Sequence, residues 1–264
     1  MTISICIPTF NRLPYLKELM GRLLPQVASF GTDRLELLVS DNCSTDGTSK
    51  YLASLKTSNL RYWTNEKNIG ADRNFLVCIQ EARGEYIWLV GDDDIIRPNA
   101  VDSILSVLEK DRPDLLIADE FDYGRKVYTD YRSCLIGESK RNRLLALSHT
   151  LISANIFKKT LFDNAYAEGK LWTQYSHMFG FIGNIQGKVI LLPKIMCTRE
   201  VRADFAKYPS FLCVKHGIYL WWLAKKFDLP GYRWRAILSV CNLPMEFGSR
   251  IKYYLNKIFR LCFK

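Results

Sequence analysis

Tyr86-Ile87-Trp88-Leu89-Val90-Gly91-Asp92-Asp93-Asp94 is the stretch on which the reading of this chain turns. Five apolar residues without alternation describe a short strand covered on both faces. The run empties into a glycine and three carboxylates. Adjacent carboxylates repel one another, so the cluster is costly without a cation to offset it. Hard divalent ions such as Mg²⁺ or Mn²⁺ take one or two protein carboxylates, with phosphate oxygens and water completing the shell. The same residues also suit a solvated acidic turn ahead of the helix that starts near Pro98.

Outward from this strand the pattern repeats. Residues 3–7 form a β-rich run ending at Pro8, and a helix follows over 14–26 with Leu16, Leu19, Met20, Leu23 and Leu24 on one face. A strand over 35–40 runs into Asp41-Asn42-Cys43-Ser44-Thr45-Asp46-Gly47-Thr48. Another over 60–64 ends in a polar turn, 65–70, before a helix over 71–82. Leu115 to Ala118 reads as a fifth strand. This β-α-β-α rhythm predicts an α/β fold, a parallel sheet with helices on both faces. Ligands of such sheets bind beyond the carboxyl ends of the strands, and every polar cluster here follows a strand.

The second half is less regular. It predicts a hairpin over 121–132, an antiparallel strand over 148–157, a helix near 175–186 and a strand over 188–192. From residue 210 the chain reads as helical, with a break near Pro230-Gly231. The divisions expected are 1–120, 121–205 and 206–264.

Composition narrows the function. With 264 residues, 48% of them hydrophobic, the chain is long enough for one large α/β domain or one domain with a smaller elaboration. The net charge of +10 points to an anionic partner: nucleic acid, a phosphorylated metabolite or an anionic membrane face. The eight cysteines are dispersed without a Cys-x-x-Cys pair, which argues against a zinc module or a disulfide scaffold and fits a reducing compartment. No apolar stretch approaches the ~20 residues that span a bilayer, and the N-terminus lacks a signal-peptide layout.

Individual residues in the clusters admit two roles each. Asp41 can accept from the N–H edge of a nucleobase, or close an Asx turn with Asn42 and Ser44. Asp46-Gly47-Thr48 reads as a turn and helix cap. Arg73, in the first turn of the helix after Gly70, can reach a base or phosphate, or pair with Asp72 or Glu81 on the surface.

Four ordered motifs resemble glycosyltransferase family 2: Ser4-Ile5-Cys6-Ile7-Pro8-Thr9-Phe10-Asn11-Arg12, Asp41 to Thr48, Asn68-Ile69-Gly70 with Arg73-Asn74, and Gly91-Asp92-Asp93-Asp94. The resemblance implies the GT-A fold, a Rossmann-like, mostly parallel sheet with flanking helices, here followed by a mainly helical C-terminal region. It implies a nucleotide pocket lined by Pro8, Thr9, Asn11, Arg12, Asp41, Asn68 and Arg73, with Asp92 beside the ribose or the metal. Asp93 is the implied ligand of Mn²⁺ or Mg²⁺, with Asp92 and Asp94 as further candidate ligands. The family pattern is Asp-x-Asp-Asp, and Gly91 stands at its first aspartate. The Gly-Asp-Asp-Asp form resembles the abequosyltransferase-like branch that decorates bacterial surface polysaccharides.

That family transfers a sugar, usually with inversion, from a nucleotide-diphosphate donor to an acceptor hydroxyl. Its base is an aspartate or glutamate in the second half. The usual Glu-Asp pair is not evident at residues 171–177, where only His177 takes a proton near neutral pH. Asp119, Glu120 and Asp122, after the fifth strand, are rivals. Arg199 and Arg202 suit a lid over the diphosphate or a solvated loop.

The tail, residues 250–264, carries basic and aromatic residues and no acid. It suits a helix lying on an anionic membrane surface, where the acceptor is a lipid-linked saccharide, or a helix packed on the domain. The expected setting is cytoplasmic, peripheral on the inner face of a bacterial cytoplasmic membrane, in O-antigen or capsule synthesis. Nucleotidyl transfer is a rival, but no Gly-rich phosphate loop follows the first strand. An inactive nucleotide-sugar binder is another. The acid cluster weighs against a nucleic-acid partner.

Overall fold

The computed structural model describes residues 1–118, 124–134, 137, 152–162 and 185–197, all within one compact unit, Met1–Arg199. In chain order the first elements are β1 (Ile3–Thr9), α1 (Leu13–Val27), β2 (Leu35–Asp41), α2 (Thr48–Ser54), β3 (Leu60–Thr64), α3 (Ala71–Glu81) and β4 (Tyr86–Leu89). They continue with β5 (Ile95–Ile96), α4 (Ala100–Asp111), β6 (Leu115–Ala118), β7 (Lys126–Tyr128), β8 (Asn155–Lys158), β9 (Val189–Leu192) and β10 (Met196–Cys197).

One sheet runs β3-β2-β1-β4-β8-β6-β9-β7, and β10 pairs with β5 in a small separate ladder. β3, β2, β1 and β4 are mutually parallel. β8 is antiparallel to both β4 and β6, β9 is parallel to β6, and β7 closes the far side antiparallel to β9. The central strands are covered on both faces, so β1, β2, β4 and β6 are buried along their whole length.

Strand alternation sorts the core. Ile3, Ile5, Ile7, Leu35, Leu37 and Val39 join the apolar face of α1 (Leu16, Leu19, Met20, Leu23, Val27) and of α4 (Val101, Ile104, Leu105, Leu108). Both helices show the spacing of an amphipathic stripe. Ser4, Cys6, Glu36 and Ser40 face the other way. There α3 packs, with Cys78 Sγ donating to the Leu38 carbonyl and Asn74 bonded to Ser40. Glu36 is buried yet fully engaged. It accepts from Ser4 Oγ at 2.6 Å, from Arg83 N at 2.8 Å and from Arg61 at 2.7 Å. Cys6, Cys78 and Cys134 are buried and Cys43 is half-buried, all as free thiols.

Two local expectations change. Of the hairpin expected over 121–132, residues 121–123 lie outside the described residues, Lys126–Tyr128 forms a strand paired with β9, and residues 131–134 are helical. The strand Val-Ile-Leu-Leu of β9 is apolar throughout and needs a neighbour on each side, and β6 supplies only one. Among the described residues, the antiparallel strand expected over 148–157 falls at Asn155–Lys158, preceded by a 3₁₀ turn at Ile152–Ala154; residues 148–151 lie outside the described residues. The helix expected near 175–186 and the helical region from 210 lie outside the described residues, apart from Ile185 and Gln186.

Candidate active site

The strand order places a switch point at β1, because the chain goes to β2 on one side and returns to β4 on the other. Thr9 and Asp41 are register partners at the carboxyl ends of β1 and β2. Val90 N donates to the Cys6 carbonyl, which carries the β1–β4 pairing up to the acidic loop. Three polar clusters therefore meet at one sheet edge.

Asp92 is 6% exposed. Its Oδ2 accepts from the Thr9 hydroxyl at 2.7 Å, and Arg12 Nε stands 3.1 Å from its Oδ1. That nitrogen is off-line for a hydrogen bond, so the contact is Coulombic. The Arg12 guanidinium also hydrogen-bonds Asp93 Oδ2 and stacks 4.8 Å from the Tyr15 ring. Burial pushes the Asp92 carboxyl up to about 6, against the pull of Arg12 and Thr9. Asp94 turns away from this group. Its Oδ2 accepts from Gly91 N at 2.7 Å, and Ser153 bonds it from the turn before β8. Burial pushes it up to about 6 as well, outweighing those hydrogen bonds. Asp94 thus braces the loop, while Asp92 and Asp93 share one cation.

Among the described residues no three His, Cys, Asp or Glu side chains converge as a ready cage. The pair Asp92–Asp93, with a guanidinium standing in as counter-ion, fits an ion of the Mg²⁺ or Mn²⁺ type, which needs only one or two carboxylates from the protein.

The neighbouring loops are latched together. Asn11, at φ 53°, donates its N–H to Ser44 Oγ at 2.8 Å and accepts from Thr45 N at 2.8 Å. Asp46 accepts from Leu13 N at 2.8 Å and from Thr48 N at 3.1 Å, serving the first turns of α1 and α2 together. This is the capping role expected of it. Asp41 is fully buried. One oxygen accepts from Ser44 N at 3.0 Å and the other from the Thr64 hydroxyl at 3.2 Å. The Asx-type turn is therefore formed, and the carboxylate keeps its remaining lone pairs for a further donor.

Asn42, Asn65, Asn68 and Asn74 form an amide network. Asn42 donates to Asn68 at 2.9 Å and accepts from Asn65 and from Ile69 N; Asn65 donates to Asn74. The network holds the 65–70 turn over the end of β2. Gly70, at φ 84°, makes the entry to α3. Arg73 is exposed on its first turn, with no ion pair to a described residue. A separate open depression of about 690 Å³ along the β3 edge, lined by Leu60, Arg61, Tyr62, Trp63, Val77 and Glu81, holds none of these groups.

Pro8, Thr9, Asn11, Arg12, Asp41, Asn68, Arg73, Asp92 and Asp93 all lie at this edge or on the loops that rise from it. Asp119, Glu120, Asp122, His177, Arg199, Arg202 and the tail lie outside the described residues. The β5–β10 ladder is informative here. Cys197 pairs with Ile95, so the chain arrives next to Asp94 just before residue 198. Sequence reading missed this ladder, Ser153, Tyr15 and the amide network. A two-residue strand carries no periodicity, and the other contacts join positions far apart in the chain.

Comparison with known proteins bears on the family and the fold. Residues 4–167 match glycosyl transferase family 2. Abequosyltransferase RfbV of Salmonella typhimurium is 27% identical over 226 residues, 81% of this chain and 66% of that protein. The poly(ribitol-phosphate) beta-N-acetylglucosaminyltransferase TarS of Staphylococcus aureus is 31% identical over 121 residues, 44% of this chain and 20% of that protein. The chain spans less than two thirds of the length of either relative. Among solved structures, S. aureus TarS 1–349 with UDP-GlcNAc superposes with a TM-score of 0.61 at 19% identity, covering 92% of this chain and 72% of that one. The mannosyltransferase PcManGT of Pyrobaculum calidifontis, with GDP-Man and Mn²⁺, gives 0.60 at 15% identity over 99% and 76%. The structural likeness establishes a shared GT-A sheet, and the sequence match runs from β1 past β8. The chain belongs to glycosyl transferase family 2.

Proposed function

We propose that this glycosyltransferase moves a sugar from a nucleoside-diphosphate donor to a hydroxyl of a saccharide acceptor, with inversion at the anomeric carbon. The observation that carries the reading is the convergence of Asp92 and Asp93 with Thr9 and Arg12 at the edge that Asp41 and Arg73 flank. Asp41 orients the base, Arg73 and Asn68 close the pocket around it, and Asp92 serves the ribose or the ion. Asp93 holds Mn²⁺ or Mg²⁺, which supplies charge to stabilise the leaving diphosphate. Mn²⁺ accompanies GDP-Man in the PcManGT structure, and UDP-GlcNAc is bound in TarS.

The acceptor proton goes to a base drawn from His177, Asp119 and Glu120. Arg199 and Arg202 serve as the lid that pairs with the diphosphate. Residues 1–120 act as the donor half, 121–205 as the acceptor half and 206–264 as a basic region against an anionic membrane. No helix among the described residues is long and apolar enough to cross a bilayer. The abequosyltransferase relative favours a deoxyhexose donor, and in this reading the acceptor is a lipid-linked saccharide of surface-polysaccharide synthesis.

A thermal-shift panel of UDP, GDP, CDP and dTDP, each with and without Mn²⁺, tests the site. One diphosphate should stabilise the protein, with a metal requirement that Asp93→Ala abolishes. A flat panel on folded protein would overturn the metal–nucleotide site and leave the fold standing.

A further inference from the structure

Arg12 lies between the two carboxylates that the proposed function gives to the cation. Its guanidinium bonds Asp93, lies 3.1 Å from Asp92 at Nε and is steadied by the Tyr15 ring at 4.8 Å. The Thr9 hydroxyl takes the other Asp92 oxygen. Arg12 is thus a counter-charge supplied by the chain itself. A divalent ion at contact distance from Asp93 and a guanidinium on the same carboxylate repel each other, so each occupancy disfavours the other. The Arg12 side chain is 35% exposed, so it has a route out. Once released, its planar fork matches a phosphate as well as it matches a carboxylate.

We propose that Arg12 is an internal competitor for the divalent cation. The ion loads onto Asp93 only as Arg12 lets go, and the donor's diphosphate gives the released guanidinium its next partner. Metal and nucleotide then bind as a coupled pair, each raising the affinity of the other. Metal without nucleotide is held weakly, because it must displace Arg12 with nothing to receive it. This inference rests on the assignment of the ion to Asp93 made above.

The test is Mn²⁺ binding, followed by the electron paramagnetic resonance of the free ion, without turnover. Wild type, Arg12→Gln, Arg12→Lys and Asp93→Ala are titrated with Mn²⁺ alone, then with UDP, GDP, CDP or dTDP in excess. Arg12→Gln should bind Mn²⁺ alone about two- to fivefold more tightly than wild type, the scale of one partly exposed ion pair lost. Arg12→Lys keeps the competing charge and should stay near wild type. The nucleotide-induced gain in Mn²⁺ affinity should shrink in Arg12→Gln. Circular dichroism confirms that each variant is folded, and Arg12→Lys controls for any general effect of substitution.

If Arg12→Gln binds Mn²⁺ alone no more tightly, while wild type takes up Mn²⁺ with a nucleotide and Asp93→Ala does not, the competition is overturned and the metal site stands. If wild type takes up no Mn²⁺ with any nucleotide, the assignment of Asp93 fails, and the competition fails with it.

Discussion

The Thr9 hydroxyl donates to Asp92 Oδ2 at 2.7 Å, joining the last residue of β1 to a carboxylate 83 positions later. The bond is buried and fixes the orientation of Asp92 towards Arg12. Thr9→Val, nearly isosteric, should lower stability by about 1.5–3 kcal/mol in urea denaturation, the range for a hydrogen bond to a charged group. Thr9→Ser should recover most of it. Nucleotide-dependent stabilisation should fall with Thr9→Val, and wild-type values for both quantities would rule out this role.

Gly91 stands where the family pattern has an aspartate, and the structure gives a reason. A Cβ at this position would lie 3.0 Å from Asp94 Oδ2 and 3.1 Å from Asp93 Oδ1. Gly91→Ala should cost about 1 kcal/mol by displacing Asp94 from the Gly91 N–H. Gly91→Asp adds a like charge to the same space and should lower the melting temperature further, with weaker Mn²⁺-dependent stabilisation. A gain in either from Gly91→Asp would show that the slot accepts the aspartate.

Asp46 links stability to acid. Burial raises its pKa, but the hydrogen bonds from Thr48 and Leu13 outweigh it and hold the carboxyl below its ordinary value of 3.8. A depressed folded-state pKa contributes stability that is complete above the unfolded value and is lost as pH falls through the folded one. Asp46→Ala should therefore cost about 0.5–1 kcal/mol at neutral pH, the low end for an exposed cap. The gap to wild type should stay constant down to about pH 4 and close below it. Chemical denaturation at several pH values checks the shape, and a gap that widens in acid would contradict it.

Glu36 offers a control far from the site. It lies near the opposite end of β2 from Asp41 and anchors Arg61, Ser4 and the Arg83 N–H. Removing one partner of a buried pair leaves the others unsatisfied, so Glu36→Ala should cost about 3 kcal/mol. Nucleotide affinity per folded molecule should not change. A loss of affinity without a loss of stability would place Glu36 in the site's machinery instead.

Much of the parallel half was legible beforehand. The apolar run 86–90, the strand at 115–118 and the amphipathic spacing of Leu16, Leu19, Met20 and Leu23 are short-range patterns. Such patterns follow from burial on one face or two and need no partner to be recognised. The polar clusters were equally legible, because each follows its strand within a residue or two.

The second half was legible only in part. A strand over 188–192 could be read from its apolar run, but its pairing with β7 could not. Pairing depends on which edges other strands leave open, and that is a property of the assembled sheet.

By itself, then, the sequence determined the α/β class, the order of the longer strands along the chain and the sheet edge at which the polar clusters gather, because each follows from local periodicity and from where polarity interrupts it. The tertiary structure alone decided how the three aspartates divide their work. Asp94 is drawn inward by the Gly91 N–H and Ser153, while Asp92 and Asp93 meet Arg12. Identical side chains in adjacent positions differ only through neighbours brought from elsewhere in the chain, and those neighbours arrive only when the sheet has formed.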